Sequence, residues 1–267
     1  MEFRILSYNM HRAIGLDRRF RPERIASILA HHDADIILLQ EVDVGVPRSR
    51  MLDLAREMAD RLEFSHVAVG LNVKLRKGMY GNATLSRFPI LQERNIDLTI
   101  GALKARGCLF TNLELPGDVT GEMPLGLAVF NLHLGLSARE RTQQLGRLVR
   151  SAEFSRLSSQ DLCLVAGDFN DWRTLLTPIL TEFYGFTCAT DHGIVTRKPL
   201  LTYPSFAPAG GLDKIFCRGR INVLNSRRCR LMTSKVASDH LPVLVDFQVQ
   251  DADEHISGKT TASRNAG

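Results

Sequence analysis

The residues of this chain that could do chemistry stand at the ends of apolar runs. Leu162–Ala166 is short and wholly apolar, as in a strand buried on both faces, and Asp168, Asn170 and Asp171 follow directly after Gly167. If the chain stays extended there, Asp168 and Asn170 point the same way and set a carboxylate beside an amide. Taken alone, the run also reads as an Asx-rich turn after a strand. An EF-hand loop is excluded, because its fifth and sixth positions would be Trp172 and Arg173. The arrangement recurs along the chain. Phe3–Asn9 closes on Asn9, Ile36–Leu39 leads into Gln40-Glu41, and Leu127–His133 closes on His133. Asp213 and the pair Asp239-His240 each stand just before a further strand-like run.

If those last two strands run against the others, all of these groups meet at one rim. Four carboxylates gathered there (Glu41, Asp168, Asp213 and Asp239) would repel strongly unless a cation neutralised them. A ligand set of Asn, Asp and Glu oxygens without cysteine favours Mg²⁺ or Mn²⁺ over zinc. Such a site, with two histidines and two Asn amides, suits phosphate-ester hydrolysis, in which catalysis is mainly positioning and charge stabilisation. Each histidine, His133 and His240, can exchange a proton near neutral pH. Read singly, a histidine after an apolar run is more often structural than catalytic.

The elements that must position these groups alternate between strands and helices. Pro22 suits a first helical turn, and Ile25, Ile28 and Leu29 share one face of that helix. A second amphipathic helix spans about 51–62, and residues 64–70 form a strand. Residues 72–79 are basic and contain glycine, which predicts a loop, and the strand after them stops by Pro89. Runs at 91–98 and 107–115 predict antiparallel strands, with Arg106 before the second reading singly as a solvated surface charge. Ser137 and Glu140 form a capping box for a helix running to about Leu157. Strand, helix, strand in that order is what an α/β layer requires.

With 267 residues and 44% hydrophobic content the chain can bury a large core. No run approaches the length of a membrane span and the first ten residues enter a strand directly, so neither a transmembrane helix nor a signal peptide is expected. Five cysteines without a C-x-x-C pair, most in apolar runs, read as buried free thiols in a reducing compartment, and a cytoplasmic location is expected. A net charge of +5 permits an anionic partner. Residues 1–250 are expected to form one domain, with 251–267, polar and without aromatics, a disordered tail.

Seven motifs in order across residues 3–247 carry a resemblance: Ser7-Tyr-Asn9, Leu39-Gln-Glu41-Val, Gly81-Asn-Ala-Thr-Leu-Ser-Arg87, Asn131-Leu-His133, Gly167-Asp-Phe-Asn170, Leu212-Asp213-Lys-Ile-Phe and Ser238-Asp-His240-Leu-Pro. The chain resembles the endonuclease/exonuclease/phosphatase (DNase I-like) superfamily of metal-dependent phosphoesterases, and its small bacterial members above all. The resemblance implies a four-layer α/β sandwich: two mixed, mostly antiparallel β-sheets packed face to face with helices outside. It implies that Glu41, helped by Asn9, holds the main Mg²⁺ (Mn²⁺ as a substitute) and that Asp239 completes that site or a second one. Asp168 would deprotonate the attacking water, with Asn170 hydrogen-bonding the phosphate. His240, oriented by Asp213, and His133 would stabilise charge or assist the leaving group, Asn82 would lie at the phosphate edge, and Arg106 is a further substrate-binding candidate. Lys214 departs from the pattern, since an aromatic residue commonly follows the Leu-Asp pair.

The expected substrate is a phosphate ester, with nucleic acid slightly favoured and a phospholipid or inositol phosphate as the alternative. Against nucleic acid stand the lack of a long basic insertion and the few aromatics able to stack bases, Trp172 and Tyr203 being the candidates. Against a lipid stands the lack of an amphipathic membrane helix. A non-catalytic binding module would have lost a core residue, and none is missing. An aspartyl-phosphate mechanism through Asp168 is disfavoured because its usual second acid is here Asn170. A monomer is expected. The basic segment 218–235 should form two strands and a turn, with Arg227 and Arg228 at the turn remote from the metal and free to guide a large anion.

Overall fold

A computed structural model describes residues 1–117, 124–192 and 198–250. The tail expected beyond residue 250 lies outside the described residues. The chain builds two six-stranded sheets. The first contains β1 (Glu2–Asn9), β2 (Ile36–Val44), β3 (His66–Lys74) and β4 (Met79–Ser86), and receives the last two strands of the chain. The second contains β5 (Ile90–Asp97), β6 (Gly107–Leu115), β7 (Leu125–His133), β8 (Leu162–Asp168) and the short β9 (Thr187–Cys188). After the two-residue pair β10 (Asp191–His192) and β11 (Lys198–Pro199), β12 (Asp213–Arg218) joins the second sheet between β8 and β9. Finally β13 (Ile221–Arg228) and β14 (Val243–Val249) return to the first sheet beside β1. Among the described residues only β1–β2 and β7–β8 pair in parallel, so both sheets are mixed and mostly antiparallel.

Period-2 alternation explains the layering. Ile5, Leu38, Val129, Leu164, Ile215 and Val245 form the core between the sheets. The alternate residues Leu6, Ile37 and Leu39 face α1 (Pro22–His32) and α2 (Leu54–Leu62). Phe130, Val165 and Phe216 face α3 (Ala138–Val149) and α4 (Ala152–Ser155) on the other side. Helix, sheet, sheet, helix is the four-layer sandwich expected. Two further short helices, α5 (Leu176–Pro178) and α6 (Ser234–Ala237), lie in loops.

Several boundaries differ from the sequence reading, each for a local reason. The predicted loop at 72–79 shrinks to residues 75–78, because β3 and β4 stay paired as far as Lys74↔Met79. The helix expected to reach Leu157 breaks after Val149, where Ser151 starts a new cap by accepting from Phe154 N at 3.3 Å. The turn remote from the rim is at Gly219-Arg220, not at Arg227-Arg228. β12 runs away from the rim and β13 returns to it, so Arg228 pairs with Val243 near the site end. Arg227 donates to Asp246 at 2.7 Å and Arg228 to the Leu201 carbonyl at 2.7 Å, so neither is a free guide for a large anion.

Candidate active site

The inward stripe of each strand turns polar at one rim. In register, Gly107 pairs with His133, His133 with Asp168, and Asp168 with Asp213, a single row across β6, β7, β8 and β12. At a strand spacing of about 4.8 Å that row spans roughly 14 Å. Facing it, Asn9 and Gln40 pair on the first sheet. The same alternation that puts Val129, Leu164 and Ile215 between the sheets therefore puts His133, Asp168 and Asp213 there too. Glu41 breaks the rule, since alternation would turn it outward after Gln40. A bulge between Leu39 and Val42, with Glu41 itself at φ 56°, re-aims it.

Asp168 is the hub and is buried. Asn9 Nδ2 donates to its Oδ2 at 3.0 Å, and Asn170 N donates to its Oδ1 at 2.9 Å. The Nε2 atoms of His133 and His240 lie 3.5 and 3.6 Å from Oδ2. His240 Nδ1 stands 2.8 Å from Asp213 Oδ2, and Thr202 Oγ1 donates to the same Asp213 oxygen. Burial opposes charge on His240, yet Asp213 and Asp168 outweigh it and hold the ring protonated, with Nδ1 donating to Asp213 and Nε2 carrying a proton towards Asp168. Burial pushes Asp168 upward, and the His240 charge with the Asn9 and Asn170 hydrogen bonds partly offsets this. His133 is driven the other way, well below the ordinary imidazole range, by burial and then by the nearby Arg106, and stays neutral. Two imidazoles that bracket one carboxylate thus carry different charge.

Each remaining candidate has a definite place. β8 ends at Asp168 and the chain does not run on extended: Asn170 adopts φ 51°, and its Nδ2 donates to the Leu134 carbonyl at 2.9 Å. The expected side-by-side carboxylate and amide is therefore replaced by a left-handed turn that folds Asn170 back over the rim. Asn82 spends both amide hydrogens on the Gly107 and Asn131 carbonyls, bridging the sheets, so only its carbonyl oxygen is left for a ligand. Arg106 is not a solvated surface charge: it is 6% exposed, and its Nε is buried without a partner among the described residues. Lys214 points to the opposite face of β12, where its Nζ lies 3.4 Å from Asp191. Trp172 is exposed, packs edge-on against Tyr203, and Tyr203 in turn lies against His240, with ring centroids 5.6 and 5.0 Å apart.

Sequence reasoning missed the floor of the site. Gln40 Nε2 donates to Asn131 Oδ1 at 2.8 Å, and Asn131 Nδ2 donates to the Leu39 and Ala83 carbonyls, binding the two sheets directly below the catalytic row. The available signal was a polar residue inside each of two otherwise apolar strands. Arg12 was also missed. It sits in a run of three residues with positive φ (His11, Arg12 and Ala13), which turns its guanidinium onto Glu41, Nε to Oε2 at 3.2 Å.

The donor chemistry fits a hard cation. Glu41 is largely buried and its carboxylate accepts no hydrogen bond among the described residues; the facing Arg12 Nε is itself without an aligned acceptor. A carboxylate that faces one guanidinium and accepts no aligned hydrogen bond among the described residues keeps oxygen lone pairs that a hard cation can take. Asn9 Oδ1 accepts only His11 N, and Asp239 Oδ1 accepts from Ser238 Oγ, so oxygens remain free on both. A second cluster, Asp168, Asp213 and His240, brings donor atoms within 4.8 Å of one another. There the His240 imidazolium already supplies the positive charge.

The endonuclease/exonuclease/phosphatase family profile matches residues 6–240. The chain belongs to that family. Among its relatives, the uncharacterised protein YbhP of Escherichia coli K12 is 30% identical over 260 residues, covering 92% of this chain and 96% of that one. The endonuclease/exonuclease/phosphatase structure from Beutenbergia cavernae superposes with a TM-score of 0.74 at 19% identity, over 94% of this chain and 72% of that one. A mannosyl-6-phosphatase of Bacteroides thetaiotaomicron gives 0.68 at 18% identity, over 92% and 99%. Members of the endonuclease/exonuclease/phosphatase family act on phosphate esters, and this chain is a phosphoesterase of that family. Among the described residues no helix is long and apolar enough to cross a membrane.

Proposed function

We propose that the protein is a Mg²⁺- or Mn²⁺-dependent hydrolase that cleaves a phosphate ester by direct attack of water. Glu41, Asn9 and Asp239 would hold the ion, whose chemistry is to polarise the phosphoryl oxygen and neutralise its charge. Asp168 takes the proton of the attacking water; burial makes it more basic, and Asn9 with Asn170 N–H fixes its orientation. His240, charged and oriented by Asp213, stabilises the developing oxyanion and gives its Nε2 proton to the leaving alkoxide. His133, neutral, donates a hydrogen bond to a phosphoryl oxygen, and Arg106, whose buried Nε has no partner among the described residues, donates another.

The single observation that carries this reading is one buried carboxylate bracketed by a neutral and a charged imidazole at 3.5 and 3.6 Å. A merely structural cluster has no need for that difference. Nucleic acid, favoured from sequence, and a phospholipid headgroup both present such an ester, and the inner geometry serves either. The test is hydrolysis of bis(4-nitrophenyl) phosphate with Mg²⁺ or Mn²⁺, in excess EDTA, and in Glu41→Ala. Metal-dependent turnover that Glu41→Ala abolishes is expected; full activity in EDTA would overturn the reading.

A further inference from the structure

The exposed large apolar side chains are distributed unevenly over the surface. Among the described residues, all but Leu91, Phe183 and Leu224 lie in loops or the short α6 at the end of the sandwich that carries the site. Leu16 follows β1, Leu103 precedes β6, Leu136 follows His133, Trp172 follows Asn170, Phe206 precedes Asp213, and Met232 precedes Asp239-His240. These tips are well out in solvent: Leu16 is 42% exposed, Met232 72% and Leu136 75%. At the opposite end, Arg87–Pro89, Ser158–Asp161 and Gly219-Arg220 carry no exposed large apolar side chain, and among the described residues Phe183, next to Tyr184 whose carbonyl takes Arg218, is the exception there.

The loops that carry these tips are joined around the mouth. Leu16 N donates to the Val236 carbonyl, and Ser205 Oγ donates to the Lys235 and Ser238 carbonyls. Tyr203 packs on Trp172, and Asn170 bonds the Leu134 carbonyl, two residues before Leu136. Leu103 and Ser137 line one cleft between neighbouring loops. The charges exposed among the tips are mainly cationic, including Arg18, Arg19, Lys104, Arg139, Arg173 and Arg230. Asp17 and Asp97 stand among them, Asp17 paired with Arg24.

We propose that this end is a docking face for an anionic phospholipid bilayer, and that the ester cleaved lies in a lipid headgroup presented there. The inference rests on the phosphoesterase reading for its chemistry and on the rim for its surface. In the reaction, a water oxygen bonds to phosphorus while the ester P–O bond breaks. Asp168 takes the water proton, His240 protonates the departing alkoxide, and a phosphate and an alcohol result. Nucleic acid would need planar faces on which bases stack, and the rim is mostly aliphatic tips, which do not stack. Separate apolar tips set among Arg and Lys suit insertion at the headgroup boundary, with the cations attracted to anionic lipid. Scattered exposed leucines are ordinary on a surface, but their concentration in the loops of one end is not.

The test is co-sedimentation with vesicles of phosphatidylglycerol and phosphatidylcholine in equal parts, or of phosphatidylcholine alone, in EDTA so that nothing turns over. Binding to the mixed vesicles should exceed binding to pure phosphatidylcholine by about tenfold or more. The triple variant Leu16→Ser, Leu136→Ser, Met232→Ser should lose on the order of tenfold at an unchanged melting temperature, and Leu103→Ser with Phe206→Ser should do likewise. With Mg²⁺ restored, the mixed vesicles should be hydrolysed. Binding to neither vesicle would overturn the proposal, as would binding indifferent to the serine variants. Displacement from vesicles by a single-stranded oligonucleotide of equal phosphate content would assign the rim to nucleic acid instead. Vesicle binding without cleavage of bis(4-nitrophenyl) phosphate strikes the phosphoesterase reading and leaves the docking face standing. Cleavage of that ester without vesicle binding strikes the docking face alone.

Discussion

His240 presents one ring nitrogen to each of two buried carboxylates, Nδ1 to Asp213 at 2.8 Å and Nε2 towards Asp168 at 3.6 Å. Asp213 takes the histidine's other nitrogen, so its charge holds the imidazolium in place. Asp213→Asn keeps the shape but removes the charge that favours the imidazolium. The expected outcome is a kcat lower by roughly 10²–10³ with KM little changed, within the range for a disabled general acid. A rise in KM with kcat unchanged would show that Asp213 only shapes the pocket.

Asp168→Asn should preserve the fold and most of the substrate affinity: its single amide oxygen keeps one of the Asn9 and Asn170 contacts, which fall on different oxygens of Asp168, and the other is lost. Loss of the proton acceptor should lower kcat by about 10²–10⁴. Single-turnover kinetics checks this, and a change confined to KM would make Asp168 a binding residue. Trapping a phospho-aspartate at this position would establish the covalent route instead.

The row His133, Asp168, Asp213 was readable because strand alternation runs unbroken from the core to the rim, so a polar residue at the end of an apolar stripe must face the same interior. Where alternation breaks, the sequence says less. The bulge at Glu41 and the left-handed turn at Asn170 depend on backbone angles that residue type does not specify. Arg106 looked solvated because a charge before a strand usually is, and only the approach of β7 and the site loops buries it. The direction of β13 was misjudged since a basic run carries no periodicity, and its pairing with β14 is a long-range contact. Seven ordered motifs carried the family identification through these gaps.

Metal binding should be visible without catalysis. A ligand that binds only the folded state raises its stability by mass action. Mg²⁺ or Mn²⁺ at millimolar levels should therefore raise the melting temperature of the wild type, and the rise should vanish in Glu41→Gln. In the absence of metal, Glu41→Gln should melt slightly below the wild type, because it gives up the ion pair with Arg12 at 3.2 Å. A metal-dependent rise retained in Glu41→Gln would move the ion away from Glu41.

His32, at the end of α1 and far from the row, gives a pH signature of its own. Burial first, then the charges of His31, Arg227 and Arg4, lowers its pKa from 6.5 to about 4. His31 lies edge-on at 5.0 Å, while Arg4 of β1 and Arg227 of β13 both pair with Asp246 of β14. Since the folded value is depressed, the unfolded chain binds more protons between pH 6.5 and 4. This contribution is full above pH 6.5 and is lost as the pH falls towards 4. Urea midpoints should fall across that window in the wild type and fall less in His32→Gln. Identical slopes would exclude His32 as the source.

Arg106 combines burial with the lack of any ion pair among the described residues, a costly arrangement for a charged group. If a substrate phosphoryl oxygen is the missing partner, the cost is carried by the free protein for the sake of binding. Arg106→Met keeps much of the stem and removes the charge. The melting temperature of the free protein should then rise by about 2 °C or more, the shift expected for roughly 1 kcal/mol in a domain of this size. At the same time KM should rise by about tenfold or more, as expected for losing a charged hydrogen bond to an anion. His133 should become easier to protonate, because Arg106 is the nearest charge holding it neutral after burial itself. A variant that is both less stable and unchanged in KM would make Arg106 a structural residue with a partner other than the substrate.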